Sequence, residues 1–331
     1  MTSMDTVIET HDLSKEYVEL PSLFSRMKGR KPKYISAVDS LNISVNSGEL
    51  YGFLGPNGAG KTTTIKMLST LLLPTSGTAA ILGHDIQRNP QEVRKRIGVV
   101  FGGERGLYWR LSGRDNMRLF SELYGLDSSE QAERIDNLLE LVGIADRADS
   151  KVETYSKGMK QRLHLARGLI HDPDILFLDE PTLGLDPAIA HELRKVIKEL
   201  CTRQKKTIFL TTHYMFEADE LCDRIAIIHK GTLRVVDTPE KLKERLDKIT
   251  PVLISLRGVL PDISRVFKSA KGVQYVESEQ KEHSTLVRVG LNQEETSLKR
   301  IISLLEEPYD IISIETMRPT LEDVFLELTR V

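Results

Sequence analysis

The sequence predicts an α/β fold with parallel strands, followed by a small α+β domain in ferredoxin-like βαββαβ order. Three observations predict it. Apolar strand segments alternate with helical ones up to about residue 237. The stretch YGFLGPNGAGKTTTI, residues 51–65, sets a glycine-rich loop between an apolar strand and a helix. Beyond about residue 240 the pattern changes to strand, helix, two strands, helix and strand.

At 331 residues the chain is too long for one ordinary domain and suits two. It is 40% hydrophobic and 28% charged, a globular composition. A net charge of -2 gives no overall basic field, so no nucleic acid is expected as a partner. Cys201 and Cys222 are too few for a disulfide framework and suit a reducing compartment. No N-terminal segment reads as a signal peptide, and no apolar run reaches the ~18 residues of a membrane helix. Work at a membrane would therefore need a second chain to cross it.

Residues 6–17 and 35–54 alternate apolar and polar and predict strands. Between them lies an insert, about residues 18–34, that carries Arg26, Lys28, Arg30, Lys31 and Lys33 beside Leu20, Leu23 and Phe24. It is either a surface for anionic lipid or a membrane partner, or a solvated loop. Residues of about 104–172 read as mostly helical. There QAERIDNLLELVGI puts Ile135, Leu138, Leu139 and Val142 on one face. TPEKLKERLDKI predicts a short linking helix, which sets the expected domains at 1–239 and 240–331. In the second, VLISLRG, VQYVESE, STLVRVGL and IISIETM read as strands, and ISRVFKSA and TSLKRIISLLEE as helices. A last helix carries Leu321, Val324, Phe325 and Leu328 on one side.

Gly55, Gly60, Lys61 and Thr62 fit the G-x-x-x-x-G-K-[ST] pattern of a P-loop. Glycines let backbone N–H groups approach phosphates, and the start of a helix favours negative charge. Gly55, Pro56, Asn57, Gly58, Ala59, Gly60, Lys61, Thr62 and Thr63 are thus the candidate nucleotide-binding loop. Lys61 can bridge the β- and γ-phosphates, and the Thr62 hydroxyl can ligate magnesium. Downstream, the apolar run Ile175–Leu178 ends in Asp179 and Glu180. Two carboxylates closing a core strand need a reason, since each costs several kcal/mol if buried unpaired. Asp179 is the candidate for reaching magnesium, and Glu180 for polarising the attacking water as general base.

TYSKGMKQRLHLARGLI, which precedes that strand, makes the reading specific. With it the chain resembles the ATP-binding cassette (ABC) ATPases over about residues 6–237, with Ser156-Lys157-Gly158-Met159 where the family usually has Ser-Gly-Gly-Gln. The resemblance implies a cassette with a helical subdomain, in which Ser156 and Gly158 face the γ-phosphate held by a second cassette. It also implies Asp186 at the dimer interface, His213 at the γ-phosphate and Tyr17 on the adenine. ATP and Mg2+ are the implied ligands. The implied partners are an integral-membrane permease and a second cassette, in a homodimer or a heterodimer, at the cytoplasmic face of the membrane. The tail MRPTLEDVFLELTR resembles drug and polysaccharide exporter ATPases. The competing class, a soluble ABC-type ATPase acting on nucleic acid or the ribosome, usually shows paired cassettes, a long coiled coil or metal-binding cysteines, and none is present here. The second domain is expected either to add dimer contacts or to act as a regulatory sensor. One departure stands out: Gly103, or Gly102 in a shifted alignment, occupies the place of the family's magnesium-approaching glutamine, with Glu104 adjacent.

Overall fold

The computed structural model describes residues 5–19, 32–102, 106–246, 249–268, 270–292, 298–303, 305 and 309–329. It divides into two compact units, Met1–Val236 and Asp237–Val331.

In the first unit the strands are β1 (Thr6–Glu19), β2 (Lys33–Leu41), β3 (Ser44–Asn46), β4 (Leu50–Leu54), β5 (Ser76–Ile81), β6 (His84–Asp85), β7 (Ile97–Phe101), β8 (Ile175–Asp179), β9 (Thr207–Thr212), β10 (Arg224–His229) and β11 (Thr232–Asp237). One sheet has the order β11-β10-β4-β9-β8-β7, and its neighbours from β10 to β7 run parallel. Every residue of β4, β8 and β9 is buried. That explains their unbroken apolar runs, since a central parallel strand is covered on both faces. Phe209 of β9 anchors this layer, with ring centroids 5.4 Å from Phe53 and 5.6 Å from both Tyr51 and Phe177. Parallel neighbours end at one edge of the sheet, so the chain leaves β4, β8 and β9 side by side.

The sequence did not separate out a second sheet. Residues 35–54 break into β2, β3 and β4, and β1 pairs antiparallel with β2, β3 and β5. The alternating pattern of β1 suits this sheet, which buries Val7, Ile8, Leu13, Val38 and Val45 in the same core as Phe53, Phe177 and Phe209.

The helices of this unit are α1 (Lys61–Leu68), α2 (Pro90–Arg96), α3 (Gly113–Leu123), α4 (Ser128–Leu141), α5 (Lys157–Gly168), α6 (Pro187–Thr202) and α7 (Met215–Leu221). Side chains cap the starts of α3, α4 and α5: Ser112 accepts from the Asp115 N–H, Asp127 from Ser129 and Ser156 from Met159. The expected face of α4 is buried at Ile135, Leu139 and Val142, with Leu138 half-buried.

The second unit opens with α8 (Pro239–Glu244), whose Thr238 cap accepts from the Lys241 N–H. It continues with β12 (Ile249–Arg257), α9 (Ile263–Lys268), β13 (Val273–Gln280), β14 (Ser284–Asn292), α10 (Leu298–Ser303), β15 (Ile311–Thr316) and α11 (Leu321–Leu328). The sheet order β13-β14-β12-β15 is antiparallel throughout. This is the βαββαβ arrangement. Val252, Ile254, Phe267, Val287, Val289 and Ile301 lie in its core. In α11, Asp323 is fully buried beside Leu321 and Val324. It closes a capping box with Thr320 and accepts the Tyr275 hydroxyl at 2.5 Å, so its charge is satisfied.

Helix α5 carries two buried side chains with unsatisfied nitrogens, Gln161 and His164. His164 is 1% exposed, and neither ring nitrogen has a hydrogen-bond partner among the described residues. Burial, with a smaller push from Arg167, lowers its pKa from 6.5 to about 4. Above pH 6.5 both folded and unfolded chains hold it neutral. Between about 6.5 and 4 the unfolded chain takes up a proton that the folded one refuses, so stability falls with pH across that window, by on the order of 3 kcal/mol. His164→Leu is expected to flatten that part of the melting-temperature-against-pH curve. A curve of unchanged slope would show that another group carries it.

Candidate functional site

The loop after β4 is shaped by two close backbone approaches. A Cβ on Gly55 would stand 2.4 Å from the Ile228 carbonyl oxygen, and one on Gly60 would stand 2.3 Å from that of Ala37. Gly60 also takes φ 108° at the start of α1, and Gly58 takes φ 80°. Only glycine suits these positions. They turn the loop around Lys61, which is 4% exposed. Its Nζ donates to the carbonyls of Gly55 at 2.7 Å and Pro56 at 3.2 Å, and pairs with Glu180 at 3.0 Å. The result is a cleft of about 200 Å³ lined by Ala37, Asn57, Gly58, Gly60, Lys61, Thr62, Thr63 and Glu180. Ala59 is buried beneath it and donates its N–H to Pro56. Such a cradle, with a cation and a helix start, fits the phosphates of a nucleotide.

The end of β8 supplies the carboxylates. Asp179 accepts from the Thr62 hydroxyl at 2.8 Å and from the Thr211 hydroxyl at 2.6 Å. Glu180 leaves the strand at φ 50°, an unusual conformation for a residue with a side chain. Its N–H donates to the Thr211 carbonyl at 3.0 Å. One carboxylate oxygen meets Lys61, and the other lies 3.0 Å from His213 Nδ1 at the end of β9. Three neighbouring strand ends thus bring together Lys61, Thr62, Asp179, Glu180 and His213. Thr62 and Asp179 offer two oxygen ligands, which suits a magnesium ion that takes most of its other ligands from phosphates and water.

Ser156, Gly158 and Asp186 belong to a second group. Gly158 packs under Ile189, where a Cβ would meet Cγ2 at 2.6 Å, and a Cβ on Gly184 would meet Lys157 Nζ. Asp186 is exposed at the start of α6 and makes no capping bond there. Tyr17 is half-exposed on β1, paired with Ile35 of β2, two residues before the cleft-lining Ala37. Lys15 Nζ lies 5.7 Å from its ring centroid. Gly103 and Glu104, and the insert residues Leu20, Leu23, Phe24, Arg26, Lys28, Arg30 and Lys31, lie outside the described residues. Trp109 is 48% exposed and the neighbouring Tyr108 is half-exposed, while buried Asn116 holds the Tyr108 backbone at both N–H and carbonyl.

Sequence reasoning missed Thr211, which clamps both Asp179 and the Glu180 backbone. A threonine pair at the end of an apolar strand, Thr211-Thr212 just before His213, was the available signal. A larger hollow of about 520 Å³ lies between α4 and the start of β9; its two cations are engaged, Arg134 on the Leu169 and Ile170 carbonyls and Lys206 on Asp172, and among the described residues no glycine-rich loop faces it.

Comparison with known proteins bears on both units. Residues 38–183 match the family model for ABC transporters, and residues 238–329 match that for the C-terminal domain of DrrA1-3-like ATP-binding proteins. Over 307 residues the chain is 37% identical to the daunorubicin resistance ATP-binding protein DrrA3 of Streptomyces coeruleorubidus, covering 88% of this chain and 91% of that protein. It is 41% identical over 239 residues to the ABC transporter ATP-binding protein NatA of Bacillus subtilis, covering 71% and 97%. The bacitracin transport ATP-binding protein BcrA of Bacillus licheniformis is 40% identical over 242 residues, 73% of each chain. Among solved structures, cbiO1 from Clostridium perfringens, part of the ABC transporter complex cbiONQ, superposes with a TM-score of 0.62 at 26% identity, over 74% of this chain and 94% of that one. The ATP-binding cassette MJ0796 bound to ADP and Pi superposes at 0.61 over 70% and 98%; at 24% identity it shows the fold alone.

The cradle itself can be tested. In Gly60→Ala the new methyl must move the Ala37 carbonyl and the backbone must leave φ 108°. Strain of ~1–3 kcal/mol is expected to weaken nucleotide binding by roughly 10–100-fold, with the fold retained. Titration calorimetry reads it, and wild-type affinity would show that the loop tolerates a side chain.

Proposed function

The chain belongs to the ABC transporter ATP-binding proteins, and from that premise we propose how its own residues use ATP. It is an ATP-binding and ATP-hydrolysing transporter subunit. The proposed transporter is an exporter of drugs or antibiotics, since DrrA3 is named for daunorubicin resistance and BcrA for bacitracin transport. No described helix is long and apolar enough to cross a membrane, so the proposed partner is a separate integral-membrane permease, with this chain at its cytoplasmic face.

One observation carries the catalytic reading: Glu180 stands between Lys61 and His213, 3.0 Å from each. Without nucleotide, Lys61 neutralises the Glu180 carboxylate. When phosphates engage Lys61, Glu180 is released to accept a proton from the attacking water. His213 fixes the orientation of that carboxylate and adds a donor toward the γ-phosphate. Thr62 and Asp179 would hold Mg2+, which would neutralise charge on the phosphates. Tyr17 supplies a face for adenine. Ser156 and Gly158, on their separate group, are proposed to close on the γ-phosphate held by a second cassette, with Asp186 at that interface. Closure then transmits binding energy to the permease, to the extent that ATP binds the closed state more tightly.

Glu180→Gln keeps the shape and loses the base. It is expected to bind ATP while phosphate release falls by roughly 10²–10⁴-fold, and turnover at the wild-type rate would remove Glu180 from that role. The only tryptophan gives a second test. Half-exposed Trp109 should be quenched by iodide in the isolated chain and protected in the assembled transporter. Equal quenching in both would place the permease contact elsewhere.

A further inference from the structure

Behind the Glu180–His213 pair lies a buried charge that the mechanism above leaves unused. Glu217, on α7, is only 4% exposed. Its Oε1 accepts from the Thr182 hydroxyl at 2.5 Å and stands 3.3 Å from Arg194 Nη1, and its Oε2 accepts from the Thr212 hydroxyl at 3.2 Å. Arg194, on α6, is 7% exposed. Its Nε pairs with Glu220 at 2.8 Å, and its guanidinium lies 4.8 Å from the Phe216 ring centroid.

The two threonines mark what the carboxylate holds. Thr182 follows Glu180 by two residues. Thr212 immediately precedes His213, and its hydroxyl also accepts from the Tyr214 N–H at 3.0 Å. The parallel register sets Asp179 beside Thr211, so it fixes the strands as far as their last pair. It does not fix where each chain goes after leaving the sheet. Glu217 ties those two departures to one point. Stability alone does not call for a charge here. A buried ion pair contributes little or nothing beyond an apolar pair of similar volume. The two helices also bury Leu193, Ile197, Ala218 and Leu221 without it.

We propose that Glu217, paired with Arg194, is a positioning residue for hydrolysis: it sets the separation of Glu180 and His213 by fixing the exits of β8 and β9. It touches neither nucleotide nor the attacking water. The inference rests on the reading of Glu180 as the base.

Steady-state ATPase assays on the full chain test it. Glu217→Gln is expected to lower kcat by roughly 10²-fold, the loss that a displacement of about 1 Å produces at a reacting centre. ATP affinity, set by the loop around Lys61, should stay within about twofold of wild type by calorimetry, a difference below ~0.5 kcal/mol. Thr182→Val and Thr212→Val, which each remove one donor, should give smaller losses of kcat at unchanged KM. A purely structural role is separated by the double variant Arg194→Met/Glu217→Leu. That variant removes both charges together and should melt near the wild-type temperature, yet retain the low kcat. The proposal is overturned if kcat recovers with the melting temperature in the double variant, or if Glu217→Gln turns over normally while Glu180→Gln is inactive. Wild-type turnover in Glu180→Gln would instead remove the reading on which the inference rests.

Discussion

The site depends on a buried ammonium. Lys61 has almost no contact with solvent, and an unpaired charge in that place would cost several kcal/mol. Two loop carbonyls and the Glu180 carboxylate satisfy it. Each of these partners has its own structural requirement. The carbonyls of Gly55 and Pro56 face Nζ only because the loop winds around it through Gly58 and Gly60 in left-handed conformations. The carboxylate is present only because β8 lies one strand away from β4, across β9, and all three end at the same edge. The cation therefore links the loop chemistry to the strand order. It also gives the ligand-free protein a neutral pair where a triphosphate would bring negative charge. On the proposed reading, phosphates compete with Glu180 for Lys61, so that the exchange that binds the nucleotide would also free the base.

Parts of this arrangement that depend on spacing along the chain were legible in the sequence. The P-loop is one continuous segment with fixed intervals, and its setting between strand and helix can be read directly. Asp179 and Glu180 stood out because carboxylates at the end of an apolar run are physically anomalous. The βαββαβ order of the second unit followed from changes of period. What could not be read depends on elements distant in sequence. Thr211 matters because β9 inserts between β4 and β8, although it follows β8 in the chain. Nothing in the local sequence distinguishes Glu217 from the other acids of α7, and its burial goes with contacts to Thr182 and Arg194. The antiparallel sheet was hidden because alternation announces a strand and not its partner. Asp323 shows the same limit in the second unit, where a charged residue on the apolar face of α11 is accounted for by Tyr275 and Thr320.

The two groups of site residues differ in how completely the chain satisfies them. Around Lys61 most polar contacts close within one molecule: Thr62 on Asp179, Asp179 on Thr211, Glu180 on both Lys61 and His213. In the second group Ser156 and Asp186 are exposed while Gly158 is buried. Ser156 caps its own helix but remains exposed, and Asp186 caps nothing. A polar set that is exposed and held in place by packing, with Gly158 fitted under Ile189, is suited to complete a contact with another molecule. This asymmetry suits the proposed sharing of a nucleotide between two cassettes. One surface must bind phosphate alone, and the other must add its contacts only on closure. If both were fully satisfied within one chain, ATP would bind equally to open and closed forms and could shift no equilibrium between them. On the proposed reading, the capacity to do work on a membrane partner rests on the incompleteness of the second group.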